Sequence, residues 1–155
     1  MAVARPSVGK NPILAAVGCL LTSIALVGAA RLASLQGHIA QPYVASVHLL
    51  VGVVACVGCA ILTHRAVGWR GRLAFAAAGV LGMWFAVFLG VATHFDVWQR
   101  MPAPPSEAYA DGAQLVATVV VGWIPGLLVY GLSLAAICAV SGLLKAIKGS
   151  RKPQG

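Results

Sequence analysis

The chain has 155 residues, 60% of them hydrophobic and 9% charged, with a mean hydropathy of +0.91. Soluble domains are near a quarter charged, so a water-soluble globule of this length is excluded and the medium around most of the chain is lipid. A net charge of +8 would suit nucleic acid in a soluble protein; here the basic residues stand between apolar runs, where membrane topology accounts for them, and no nucleic-acid partner is expected.

Residues 1–11 form a short basic tail with Arg5 and Lys10. The first apolar run spans about 12–33, with Pro12 where a helix tolerates proline. A basic start before an apolar run, with small residues at Gly28-Ala29-Ala30, also has the look of a secretory signal. The run is long for a signal core, however, and is read as a retained span. After a loop containing His38 and Pro42, the second span covers about 43–63 and carries His48, Cys56 and Cys59. A basic turn follows, with His64, Arg65, Trp69, Arg70 and Arg72, and then a third span over about 73–95 that ends beside His94. The longest loop, 96–112, holds Pro102, Pro104 and Pro105, which disfavour a helix there. The fourth run, about 113–144, exceeds the ~20 residues a bilayer requires, and Pro125 beside Gly126 is its predicted bend. A basic tail, 145–155, closes the chain.

The runs are continuous rather than alternating, which predicts helices and argues against a transmembrane barrel. The fold class expected is an all-α integral membrane protein, a four-transmembrane-helix bundle in one domain. Its basic residues set the orientation. The N-terminal tail, the 64–72 turn and the C-terminal tail hold two, three and four of the eleven, while Arg31, Arg100 and all three acids, Asp96, Glu107 and Asp111, fall opposite. Both termini are therefore expected to be cytoplasmic. The richness in Ala, Gly and Val, with this charge bias, suits a bacterial inner membrane.

Small residues recur at helical spacing: Ala15, Gly18, Thr22 and Ala25 in the first span; Ala45, His48, Gly52, Ala55, Cys56 and Cys59 in the second; Gly79, Met83, Ala86, Gly90 and His94 in the third. Such faces allow helix backbones to approach closely in lipid and are expected in the bundle interior or against a partner.

Three sets of residues invite a chemical reading. His48 and His94 fall at similar depth in antiparallel spans, and two facing imidazoles are the ligand set of a b-type haem, with Gly52 and Gly90 leaving room for the macrocycle. Cys56 and Cys59 have C-x-x-C spacing but lie deep in an apolar helix, where thiols lose reactivity. A soft metal there would draw on Cys19 and Cys138 for further ligands. Arg31, His38, Asp96, Arg100, Glu107 and Asp111 give the outer surface mixed charge suited to a partner or a quinone head group. His64 reads as a solvated interface residue and Tyr130 as a hydrogen-bonding residue between helices. No Asp, Glu, Lys or Arg lies mid-span, which argues against a proton-driven transporter or a voltage sensor. No H-E-x-x-H, P-loop or G-x-S-x-G motif occurs. The reading that results is a non-enzymatic accessory or scaffold subunit of a larger integral-membrane complex, respiratory or otherwise engaged in electron transfer. The alternatives are a haem b electron-transfer protein using His48 and His94, and a thiol or soft-metal protein using Cys56 and Cys59.

Overall fold

A computed structural model of the chain describes residues 11–100 and 111–150. Five α-helices and one 3-10 turn account for nearly all of them: α1 Pro12–Leu35, the turn Gln41–Tyr43, α2 Val44–Arg65, α3 Trp69–Gln99, α4 Asp111–Val121 and α5 Trp123–Ser150. Four of these helical stretches are long and apolar enough to cross a membrane: 12–35, 41–65, 69–99 and 123–148. Among the described residues the architecture is all-helical, and its four long apolar helices suggest a multi-pass membrane protein. The tails 1–10 and 151–155, and the prolines of the long loop, lie outside the described residues.

Local chemistry fixes the helix ends. Asn11 caps α1 by accepting from the Ile13 and Leu14 N–H groups at 3.2 and 3.3 Å, with Pro12 in the first turn where no N–H is needed. At the other end, Gln36, Gly37 and His38 donate backwards to Leu32, Ser34 and Ala33. Gly37, at φ 79°, supplies the left-handed residue this reversal needs. Gly68, at φ 83°, does the same before α3.

α2 and α3 form the centre, packed antiparallel in constant register. A Cβ on Gly52 would come within 2.7 Å of Met83 Sδ and 2.8 Å of Ala86 Cβ. One on Gly79 would lie 3.0 Å from Cys59 Cβ, and one on Gly90 3.0 Å from His48 Cβ. The small-residue faces expected on the second and third spans are therefore largely the ones that meet: His48, Gly52, Cys56 and Cys59 are buried in α2, and Gly79, Met83, Ala86 and Gly90 in α3.

α1 runs parallel to α3. Pro12 sits on Gly71, Ser23 on Gly82, and Arg31 beside Asp96. Its buried residues are Ala16, Ser23, Val27, Ala30 and Ser34; Ala15, Gly18, Thr22 and Ala25, expected in the interior or against a partner, are not buried within this bundle. α5 lies against both central helices: Gly126 packs on Val80 and Met83, and Tyr130 on Gly79.

The fourth apolar run is interrupted at Gly122, three residues before the expected bend. Pro125 has no N–H for the carbonyl of Val121, one turn back, so the hydrogen-bond ladder fails in the turn preceding the proline and Pro125 itself sits in the first turn of α5. Gly122 closes α4 by donating to Thr118 O at 2.9 Å, and the Trp123 indole donates to Val120 O at 2.7 Å.

Gly52→Val is expected to destabilise the protein by about 1–3 kcal/mol, the usual cost of overpacking, because its neighbours include the Ala86 Cβ and the Met83 backbone. Gly131→Ala, which meets nothing within 4 Å, is expected to leave stability unchanged. Unfolding titrations of the purified variants in mixed micelles check both.

Candidate functional site

Polar groups gather at the two ends of the bundle. At the far end, where α1 and α3 finish and α2 begins, Arg31 and Asp96 form a part-buried ion pair at 2.5 Å that joins α1 to α3. His38 and Arg100 are exposed nearby in sequence, and neither joins that pair. Glu107 lies outside the described residues, and Asp111 opens α4.

His48 is fully buried. Its Nδ1 lies 2.8 Å from the Val44 carbonyl of its own helix. A carbonyl only accepts, so Nδ1 carries the proton and Nε2 is a bare lone pair, without a partner among the described residues. His94 lies one helical turn beyond Gly90, which packs on His48. Its Nε2 is 3.4 Å from the Gln41 amide nitrogen. That amide group donates, which leaves the proton on His94 Nδ1, also buried and unpartnered. The ring leans on Trp98 with centroids 4.4 Å apart.

The same packing tests the haem reading. A macrocycle held by His48 and His94 needs open space along the glycine faces of α2 and α3. Gly90 is instead covered by His48 itself, and Gly52 by Met83 and Ala86, in direct contact. A haem between these helices does not fit their packing. The room expected at the two glycines is used for helix contact.

The cysteines separate into different settings, and all four are free thiols. Cys56 donates to the Gly126 carbonyl of α5 at 3.6 Å. Cys59 is buried against Gly79, with Cys19 packed beside its cluster. Cys138 stands apart on the exposed face of α5, so the imagined grouping of Cys19, Cys59 and Cys138 is not formed. Among the described residues no three His, Cys, Asp or Glu side chains gather as a metal site would require.

At the basic end Tyr130 does link helices: its hydroxyl donates to Thr63 Oγ1 at 2.8 Å, and Thr63 donates to Cys59 O at 2.8 Å. His64 is exposed, as expected, but is also in contact with α5. Its Nδ1 lies 3.9 Å from Cys138 Sγ and its Nε2 3.2 Å from Ser141 Oγ. Sequence reading missed this cluster because 74 residues separate His64 from Cys138.

A groove of about 560 Å³ opens between α1 and α2. Its walls are Ala15, Gly18, Cys19, Thr22 and Leu26 on one side and Val51, Ala55, Gly58 and Leu62 on the other. Gly18 and Gly58 have nothing within 4 Å of where a Cβ would stand. Ser23, only 4% exposed, also lines it, with its Oγ against Gly82 of α3 and without a partner among the described residues. Comparison with protein-family models, curated proteins and solved structures finds no match, so function rests on this geometry.

Tyr130→Phe removes a buried interhelical hydrogen bond and is expected to cost about 0.5–1.5 kcal/mol, measured by unfolding in micelles. A reduced-minus-oxidised spectrum of protein purified from haem-supplied cells is expected to lack a b-type band. A band that disappears in His48→Ala would require α2 and α3 to part.

Proposed function

We propose that the chain is a non-enzymatic accessory or scaffold subunit of a larger integral-membrane complex, inserted with both termini cytoplasmic, and that the groove between α1 and α2 seats a transmembrane helix of a partner subunit. The observation that carries this reading is the pair of bare glycines, Gly18 and Gly58, facing each other across a groove with small residues on both walls. Where helices meet α3, Gly52, Gly79, Gly82, Gly90 and Gly126 lie at close contacts with another helix, while Gly28, Gly131 and Gly142 are open like the two in the groove. In lipid, helix association depends on such close contact rather than on hydrophobic drive, so two opposed small-residue walls without a helix between them favour one supplied from outside.

The dimensions support a helix. The groove follows α1 from Ala15 to Leu26, about 16 Å at 1.5 Å per residue. Its lining recurs at spacings of three and four on both walls, the pattern into which a third helix lays its own ridges. The orientation rests on the basic turn and the lysines of α5, which share one end of the bundle, with Asp96 at the other.

Gly18→Leu with Gly58→Leu tests the proposal. Neither added side chain meets the chain's own atoms at its Cβ, so helicity and stability are expected to be retained. The wild-type protein is expected to migrate in mild detergent in an assembly much larger than its 15.8 kDa; the double variant is expected to fall to the size of the free subunit. A double variant that keeps the full assembly, or a wild-type chain that purifies alone, overturns the reading.

A further inference from the structure

We propose that Cys138 is an S-acylation site, with His64 as its base and long-chain acyl-coenzyme A as the acyl donor. The proposal stands on the cluster at the basic end of α2 and α5, independently of the groove.

Of the four thiols only Cys138 is exposed, and only it has an imidazole in reach, His64 Nδ1 at 3.9 Å. The ring is held from its other side by Ser141 Oγ, 3.2 Å from Nε2. With Nε2–H donating to Ser141, Nδ1 presents its lone pair to the thiol. A nucleophile, a base within reach and a third group orienting the base is the constellation of an activated nucleophile. His64 comes from the last turn of α2 and the other two from α5, separated by three residues on one face.

Along α5, Cys138, Ser141, Lys145 and Lys148 follow at i, i+3, i+7 and i+10, one stripe of the helix. The lysines stand about 10 and 15 Å beyond the thiol at 1.5 Å per residue, and both are exposed. Arg65 adds a third cation beside His64. On the N-terminal side of the thiol α5 is apolar, with Leu128 and Leu132 exposed there. A thiol at the boundary, lipid on one side and three cations on the other, matches an amphiphile with an apolar chain, a thioester and a phosphorylated head. In the step itself, the Cys138 proton passes to His64 Nδ1 and the thiolate adds to the thioester carbonyl. The bond from that carbonyl to the coenzyme A sulfur breaks, and the departing thiolate recovers the proton from His64. No oxidant or reductant is needed. The bound chain then anchors this end of α5 in the bilayer.

The test uses the full chain in detergent micelles, where both ends are accessible, with an alkyne-tagged palmitoyl-coenzyme A. Expected is one hydroxylamine-labile label, on the Cys138 peptide, absent in Cys138→Ala and retained when Cys19, Cys56 and Cys59 are all serine. His64→Ala should slow labelling at least about tenfold, with recovery on adding free imidazole. Lys145→Gln with Lys148→Gln should raise the donor concentration for half-maximal rate and leave the saturated rate unchanged. No label, a label on another cysteine, or a His64→Ala rate equal to wild type overturns the proposal. Labelling of Cys138 in intact cells by an impermeant maleimide would place this end outside, away from acyl-coenzyme A, and overturns the donor assignment separately.

Discussion

The close approach of α2 to α3 is the contact on which the rest of this bundle depends. In lipid there is no solvent to squeeze two apolar helices together, so the gain must come from atoms that touch. Glycine makes that contact here by removing its own side chain: Gly52 admits Met83 and Ala86, Gly79 admits Cys59, and Gly90 admits His48. The alternation matters, because each helix offers a notch where the other offers a side chain. It also determines the state of His48. Pressed on Gly90 and fully buried, the ring satisfies its N–H on the Val44 carbonyl of its own helix and leaves a bare nitrogen inside. A packing role explains its position better than a cofactor role, since filling the notch and opening it for a macrocycle exclude one another.

The outer helices are attached by different means, largely polar ones. α5 is fastened to α2 by Cys56 on the Gly126 carbonyl, by Tyr130 on Thr63, and by the His64 contact with Ser141. Each polar pair in lipid adds modest free energy, but each also fixes axial position and rotation, which apolar contact with smooth aliphatic surfaces does not. The ordering of these contacts along both helices keeps α5 parallel to α2. The His64 cluster is a product of that register. A rotation of α5 by one residue, about 100°, would carry Cys138 and Ser141 off the imidazole.

The architecture was legible in the sequence because a membrane span is defined by length and hydropathy, both local properties. The α2 and α3 faces were legible because small residues coincide there with His48 and Met83, leaving one side of each helix distinct. α1 offered no such distinction. Its stripe of Ala15, Gly18 and Thr22 is as small as any packing face, while the side that packs contains Val27 and two serines. In water polarity would separate these faces; in lipid Ser23 and Ser34 are as suited to the interior as alanine. The helix break fell at Gly122 rather than Pro125 because proline disrupts the turn before it, which shifts the bend toward the N-terminus. Arg31 and Asp96 were visible as charges on one side but not as a pair, and His64 with Cys138 was invisible, because both juxtapositions depend on how separate helices are placed.

The groove follows from the same placement. α1 is held to α3 at three heights: Pro12 on Gly71, Ser23 on Gly82, Arg31 with Asp96. These three contacts commit α1 to α3 along its whole length. α2 is equally committed to α3 through Gly52, Gly79 and Gly90. Two helices bound to different sides of a third cannot also close on each other unless their side chains bridge the gap. They meet where Cys19 lies against Cys59; elsewhere on these walls the positions Ala15, Gly18, Ala55 and Gly58 are too short to do so. Larger residues at those positions would fill the space from within at no evident steric cost, since nothing stands within 4 Å of a Cβ at either glycine. The opening is therefore a consequence of which residues line it, and it gives the bundle a side on which contact is left to be completed by another molecule.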